Sequence, residues 1–266
     1  QHRQAAMANA ALAGVAFGIV ALGWKGFVVG PSILFLAYAL QVAMNMFRRR
    51  DSTTLSVMFL VMLTTILLMV LPFYAHPQLN LVFDSTGLQP FLFIFGFTLA
   101  IAFVTTGFRD KPWLLVLGTL AGAATVFFAI LYVLKTLEYS SAWDVLFTGS
   151  GYFTKTKIFG TVAEANAPNR AQLFASFGPI TFLLALIMGG GLLWRGLRHR
   201  NGTALVFGVW VFAATFMAWN AARFMFNATP IMAILGAAGI VAFWQWADWG
   251  RLVRSWKKFG IRTPAD

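Results

Sequence analysis

The chain has 266 residues, of which 59% are hydrophobic and 11% are charged, and its net charge is +12. A soluble domain of this size could not bury so much apolar surface. The basic residues stand in short clusters between apolar runs, which favours a role in membrane orientation over nucleic-acid binding. The absence of cysteine excludes disulfides and thiolate metal sites.

Eight apolar runs have the length of roughly 20 residues that crosses ~30 Å of hydrocarbon. They predict an all-α polytopic membrane protein with spans at residues 5–22, 27–46, 53–72, 89–107, 113–134, 177–194, 203–220 and 224–246. Residues 1–134 would then hold five spans and 177–250 three. Between them, 135–176 would form a large external loop, and 251–266 a basic cytoplasmic segment.

The basic clusters fall on one side of this arrangement, which sets its orientation. They are residues 48–50, 109–111, 195–200 and 251–258, and the segment with Arg3 joins them. Placing that side in the cytoplasm follows the positive-inside rule and puts both ends of the chain inside. The loop at 135–176, the turn at 220–223 and Lys25 then face outward. We therefore expect a multi-pass protein of the plasma membrane with its long loop outside.

The eight acids all lie between spans in this scheme. Asp84, Glu138, Asp144 and Glu164 fall on the outer side, and the other four on the inner side. A charged group in mid-membrane is the usual mark of an ion pathway. The sequence lacks one, which disfavours a transporter.

Glu164 has two interpretations. Thr161 and Glu164 have the Ser/Thr-x-x-Glu spacing of a helix capping box. The residues that follow, 165–169, are typical of a turn rather than of a helix. The alternative is a carboxylate that the outer loop presents to a divalent cation or to a substrate amide.

Arg223 also has two interpretations. It stands at the outer junction of the last two spans, with almost no loop between them. Its guanidinium could extend to the lipid headgroups. Alternatively it could turn inward and neutralise a phosphate, a task that its planar fork of donors suits.

Three separated patches resemble the catalytic subunit of oligosaccharyltransferase, the membrane enzyme of protein N-glycosylation, in its single-subunit archaeal and bacterial form. Thr161, Val162, Ala163 and Glu164 are similar to the Thr/Ser-x-x-Glu motif in that family's fifth external loop. The stretch from Arg223 to Pro230 is similar to its junction of the eleventh and twelfth helices. Residues 23–27 resemble its turn between the fifth and sixth helices. The resemblance implies a GT-C-type transmembrane domain covering roughly the fifth to twelfth helices.

The resemblance also implies a reaction. An oligosaccharide would pass from a dolichyl or polyprenyl (pyro)phosphate to the Asn side chain of an Asn-x-Ser/Thr acceptor, at the external face of the membrane. Glu164 would be catalytic and would belong to a site for Mn²⁺ or Mg²⁺, hard cations that prefer oxygen ligands. Arg223 would bind the lipid pyrophosphate, and Tyr152 would contact substrate.

The family's first catalytic Asp residues and its C-terminal sequon-reading domain have no counterpart here. We therefore expect a fragment of a longer protein that is inactive alone. Three alternatives stay open: another polyprenyl-phosphate-sugar-dependent GT-C glycosyltransferase, a transporter or flippase, and a structural membrane subunit. In the last, Glu164 would be a helix cap and Arg223 an interfacial arginine.

Overall fold

The structure, a computed structural model, describes residues 2–76, 88–108, 111–137 and 167–247, and these contain helices and no strand. Two 3-10 turns, Lys25–Val28 and Ala222–Phe224, join long helices. The α-helices are α1 (His2–Gly23), α2 (Val29–Phe47), α3 (Thr53–Tyr74), α4 (Gln89–Gly107), α5 (Trp113–Thr136), α6 (Arg170–Phe177), α7 (Pro179–His199), α8 (Gly202–Asn220) and α9 (Met225–Trp246).

All of these helices except the short α6 are long and apolar enough to cross a membrane, which gives eight candidate spans in the described residues. Each one coincides with a predicted span, and the ends differ by a few residues. Large apolar side chains point away from the protein along these helices, and Phe103 and Phe226 are 78% and 76% exposed. Such a surface is stable only against lipid. The prediction of an all-α, multi-pass membrane protein is confirmed.

Several threonine side chains inside the spans find partners within their own helix. The Thr98 hydroxyl donates to the carbonyl of Ile94 at 2.7 Å, and the Thr215 hydroxyl donates to that of Val211 at 2.6 Å. Hydrocarbon offers no other hydrogen-bond partner, so this back-bonding satisfies a group that would otherwise cost several kcal/mol. Asp51, the one acid among the described residues, lies between α2 and α3 and not inside a span.

The chain divides into two compact units, Gln1–Thr156 and Lys157–Asp266. In the first unit α3 is the central helix, and it packs against α1, α2 and α4. Its side chains Leu63, Ile66 and Val70 are completely buried. They stand three and four residues apart, which places them on one face of the helix. That face forms the core of the unit.

In the second unit α7 packs against both α8 and α9. Glycines allow the close approach of α7 and α8. A Cβ atom added to Gly196 would lie 2.6 Å from the backbone nitrogen of Leu205, and one added to Gly208 would lie 2.7 Å from that of Leu193. Small residues have this role in membrane helices, where packing replaces the hydrophobic effect as the driving force.

The run of three glycines in α7 is only partly used for packing. A Cβ on Gly189 would meet the Val211 side chain, whereas one on Gly191 would meet nothing within 4 Å. Gly189 therefore serves the packing of α7 on α8, whereas Gly191 lies on another face of the helix.

We expect Gly196→Ala to destabilise the protein by about 1–3 kcal/mol, because α7 and α8 would have to separate to admit the methyl group. Thermal unfolding in detergent would measure the loss. Gly191→Ala is the control in the same helix, since its methyl group has free space and alanine favours helix by up to about 1 kcal/mol. Equal melting temperatures for the two variants would contradict the assigned packing.

Candidate functional site

The structure describes only part of the predicted site. Tyr152 and the motif Thr161, Val162, Ala163 and Glu164 lie outside the described residues. The backbone of Arg223 is described, within the 3-10 turn Ala222–Phe224, but its side chain is not. The site is therefore built from the elements that flank these residues.

The turn that carries Arg223 is short, and backbone hydrogen bonding and close helix packing determine its conformation. Ala221 leaves the helical conformation with φ −150° and ψ 130°, which ends α8. The backbone N–H of Phe224 then donates to the carbonyl of Ala221 at 3.0 Å and closes the turn. Ala218, Ala221 and Ala228 are almost completely buried beside it. Their small side chains let α8 and α9 approach closely, so the backbone position of Arg223 is set by packing.

Helix α6 contributes a second element near the predicted site, inside the interval predicted as loop. It starts with a capping box. The Asn169 side chain accepts from the backbone N–H of Gln172 at 2.7 Å, and the Gln172 side chain accepts from that of Asn169 at 2.9 Å. This pattern satisfies two of the N–H groups that a helix start leaves without partners. Asn169-x-x-Gln172 is the sequence signal that predicts the start of this helix.

Helix α6 is fixed to the membrane helices of its unit by two apolar side chains one turn apart. Leu173 and Phe177 are 4% and 9% exposed and join a core with residues of α7, α8 and α9. The Phe177 ring stacks on Phe182 with centroids 6.1 Å apart. Gly178 then takes a φ of +73°, a conformation that favours glycine, and α7 begins at Pro179.

This attachment limits where Glu164 can be. Glu164 precedes Arg170, the first residue of α6, by six positions in the sequence. A fully extended chain of that length spans at most about 22 Å. The chain therefore tethers Glu164 to α6, which packs against α7 and α9.

The turn Lys25–Val28 in the first unit is held by aromatic packing. Phe27 is 1% exposed, and its ring lies 6.3 Å from that of Tyr74 and 5.8 Å from that of Phe91, centroid to centroid. The Tyr74 hydroxyl donates to the carbonyl of Ala21 at 3.2 Å. The ends of α1, α3 and α4 are joined in this way.

The described residues contain no group of three or more His, Cys, Asp or Glu side chains that could hold a metal ion. The four acids predicted on the outer side, Asp84, Glu138, Asp144 and Glu164, all lie outside the described residues. Any carboxylate ligand for Mn²⁺ or Mg²⁺ from the predicted outer side of this chain would therefore lie outside the described residues.

No protein-family model, curated protein or solved structure matches this chain.

Proposed function

We propose that this chain is part of a GT-C-type oligosaccharyltransferase. In this proposal it transfers an oligosaccharide from a dolichyl or polyprenyl (pyro)phosphate to the Asn of an Asn-x-Ser/Thr sequence, at the external face of the plasma membrane. Glu164 and Arg223 are its functional residues within this chain, and Tyr152 is a further substrate contact.

The observation that carries the proposal is that the sequence has three patches similar to the family's motifs, and that two of these patches form short turns between membrane helices. The patches around Phe27 and Arg223 both coincide with short 3-10 turns between long apolar helices. The patch around Glu164 comes shortly before α6, which packs on α9, the helix that follows the Arg223 turn. The charge distribution assigns all three patches to one side of the membrane.

The proposed reaction replaces the bond between C1 of the first sugar and a phosphate oxygen by a bond between C1 and nitrogen. The amide nitrogen of the acceptor Asn forms a bond to C1, the bond from C1 to the phosphate oxygen breaks, and the amide loses a proton to the Glu164 carboxylate. The lipid pyrophosphate leaves with the electron pair. Glu164 engages the acceptor amide, and Arg223 binds the pyrophosphate through charge-assisted hydrogen bonds. The proposal includes Mn²⁺ or Mg²⁺, bound by Glu164 with Asp residues outside this chain, as a Lewis acid for the leaving group.

The proposal is tested with the full-length protein, a lipid-linked oligosaccharide and a fluorescent peptide that contains Asn-x-Thr. A glycopeptide should form, and it should not form when Gln replaces the acceptor Asn. Absence of glycopeptide from every lipid-linked donor tried would overturn the proposal. Hydrolysis of the donor without transfer, or transfer to Ser or Thr, would favour another glycosyltransferase of the same architecture.

Within this assay, Arg223→Ala should raise the KM for the lipid donor by about 10- to 100-fold, the value expected when hydrogen bonds to a charged group are lost. The KM for the peptide should stay unchanged, because the proposed contact is to the donor. Initial rates measured at varied donor and peptide concentrations would give the two KM values separately.

Arg170→Ala is the matched control for Arg223→Ala. Arg170 is an exposed arginine at the start of α6, on the same predicted side of the membrane, and its removal changes the net charge equally. The control should keep the donor KM of the wild type. Equal losses on donor and peptide for Arg223→Ala would instead indicate an arginine with a structural role.

A further inference from the structure

A cavity of about 340 Å³ opens in the first unit at the end of the helix bundle opposite Phe27. Its wall carries three cationic residues, Arg49, Arg50 and Lys111, and one carboxylate, Asp51. Trp113, the first residue of α5, completes the site with an aromatic surface. Arg109 and Asp110, next to Lys111 in the sequence, lie outside the described residues.

The Asp51 carboxylate in this cavity already accepts hydrogen bonds from a neighbouring residue. Oδ1 of Asp51 accepts from the backbone N–H of Thr53 at 2.9 Å and from the Thr53 hydroxyl at 2.6 Å. Its negative charge therefore lies at the start of α3, where it stabilises the helix. By contrast, α5 has no acidic residue in its first turn and no side-chain cap. The partial positive charge of that helix start adds to the three cations.

Arg49 has an unusual backbone conformation for its residue type. Its φ is +52°, in the left-handed region where glycine is the ordinary choice. The surrounding hydrogen bonds form a Schellman motif at the end of α2. The N–H of Arg50 donates to the carbonyl of Asn45 at 2.8 Å, and that of Arg49 donates to Met46 at 3.0 Å. An arginine at this position strains the backbone, as Arg200 does at the end of α7 with a φ of +59°.

The turn that contains Arg49 is also held by side-chain hydrogen bonds on its buried side. The Asn45 side chain donates to the Ser52 hydroxyl at 3.0 Å, and both residues are buried. Gln41 in turn donates to the Asn45 side chain at 3.1 Å. These bonds join the two ends of the turn, so the turn is held in place before any ligand binds.

An apolar groove of about 110 Å³ adjoins the basic cavity. It runs between α2, α4 and α5, and its walls include Val42, Ile101 and Leu117. Met46 and Trp113 line both the groove and the basic cavity. The Trp113 ring also contacts Phe47, with centroids 5.0 Å apart. A charged compartment therefore continues directly into an apolar one at the level where the helices leave the membrane.

We propose that this composite site binds an anionic phospholipid. The phosphate headgroup would lie among Arg49, Arg50 and Lys111, and one acyl chain would follow the apolar groove. Basic pockets between membrane helices are suited to such headgroups. The general excess of basic residues on this side explains cations near the surface, but it does not explain a cavity that gathers three of them beside an apolar groove.

Arg49→Gly tests the proposal, because it removes the charge and relieves the backbone strain in one step. The full-length protein would be equilibrated with vesicles of phosphatidylcholine and phosphatidylglycerol, extracted, and examined by native mass spectrometry. We expect retention of phosphatidylglycerol to fall about fivefold, as for the loss of one interfacial cation. The melting temperature of the lipid-free protein should stay equal or rise, which separates lost binding from lost folding.

Arg200→Gly is the matched control. Arg200 has a φ of +59° at the end of α7, so the substitution removes the same charge and relieves the same conformation. Arg200 does not line the cavity, and phosphatidylglycerol retention should stay at the wild-type level. Equal losses for both variants, or unchanged retention in Arg49→Gly, would overturn the proposal. So would displacement of the lipid by glycerophosphoglycerol, the headgroup without acyl chains, since a soluble phosphate ester would then suffice.

Discussion

Glu164→Gln in the full-length protein should lower the rate of glycopeptide formation by about 100-fold or more, the scale on which positioned acid–base groups act. Glutamine has nearly the same shape as glutamate but no negative charge. It therefore could neither accept a proton from the acceptor amide nor bind a divalent cation as strongly. The measurement is single-turnover transfer with donor and peptide both saturating, so that weakened binding does not contribute.

Glu138→Gln provides the control for this substitution. Glu138 is another acid predicted on the outer side, in the same interval of the chain, and the resemblance gives it no role. Its replacement should leave the rate near that of the wild type. A rate in Glu164→Gln equal to that in Glu138→Gln would reject the catalytic role and favour a capping role for Glu164.

Phe177→Ala should reduce transfer through a different cause, namely the loss of the attachment of α6. Deleting a buried phenylalanine costs about 3–5 kcal/mol, and Phe177 is one of the two side chains that hold α6 against the helices. We expect transfer to fall at least about tenfold, because Glu164 would lose its tether. Amide hydrogen exchange in residues 170–177 should become faster in the same variant.

Phe174→Ala removes the same side chain from the same helix at a position that is 40% exposed. It should cost less stability and leave amide exchange in α6 close to that of the wild type. The exchange measurement does not depend on the proposed activity. Unchanged exchange in Phe177→Ala would contradict the packing of α6, whereas fast exchange with normal transfer would contradict only the role of α6 in the reaction.

The membrane helices could be predicted from the sequence because each is a long apolar run with polar ends. The span over Thr53–Tyr74 and the prediction of 53–72 agree closely, since length and hydropathy alone determine where a chain can cross hydrocarbon. Helix α6 could not be found in this way. It has only two turns, and its burial depends on Leu173 and Phe177 meeting residues far away in the sequence.

The candidate site was less predictable than the fold, for two physical reasons. The roles of Glu164 and Arg223 depend on the direction of their side chains, which neither spacing nor hydropathy specifies. The cavity around Arg49 and Lys111 depends on tertiary packing, because residues from α2 and α5 that are distant in the sequence form one wall. In the sequence these cations indicated only the orientation of the protein in the membrane.

The turn at Ala222–Phe224 also bears on how the protein is made. A connection this short leaves no polypeptide to be transferred across the bilayer between α8 and α9. We therefore expect the two helices to leave the translocon as a hairpin, with the buried Ala218, Ala221 and Ala228 beside the turn. The same holds for α1 and α2 around Phe27. By contrast, residues 137–169 between α5 and α6 are long enough to cross as a separate segment if they face outward as predicted. We then expect membrane insertion to proceed in two stages, divided at the interval that contains Glu164.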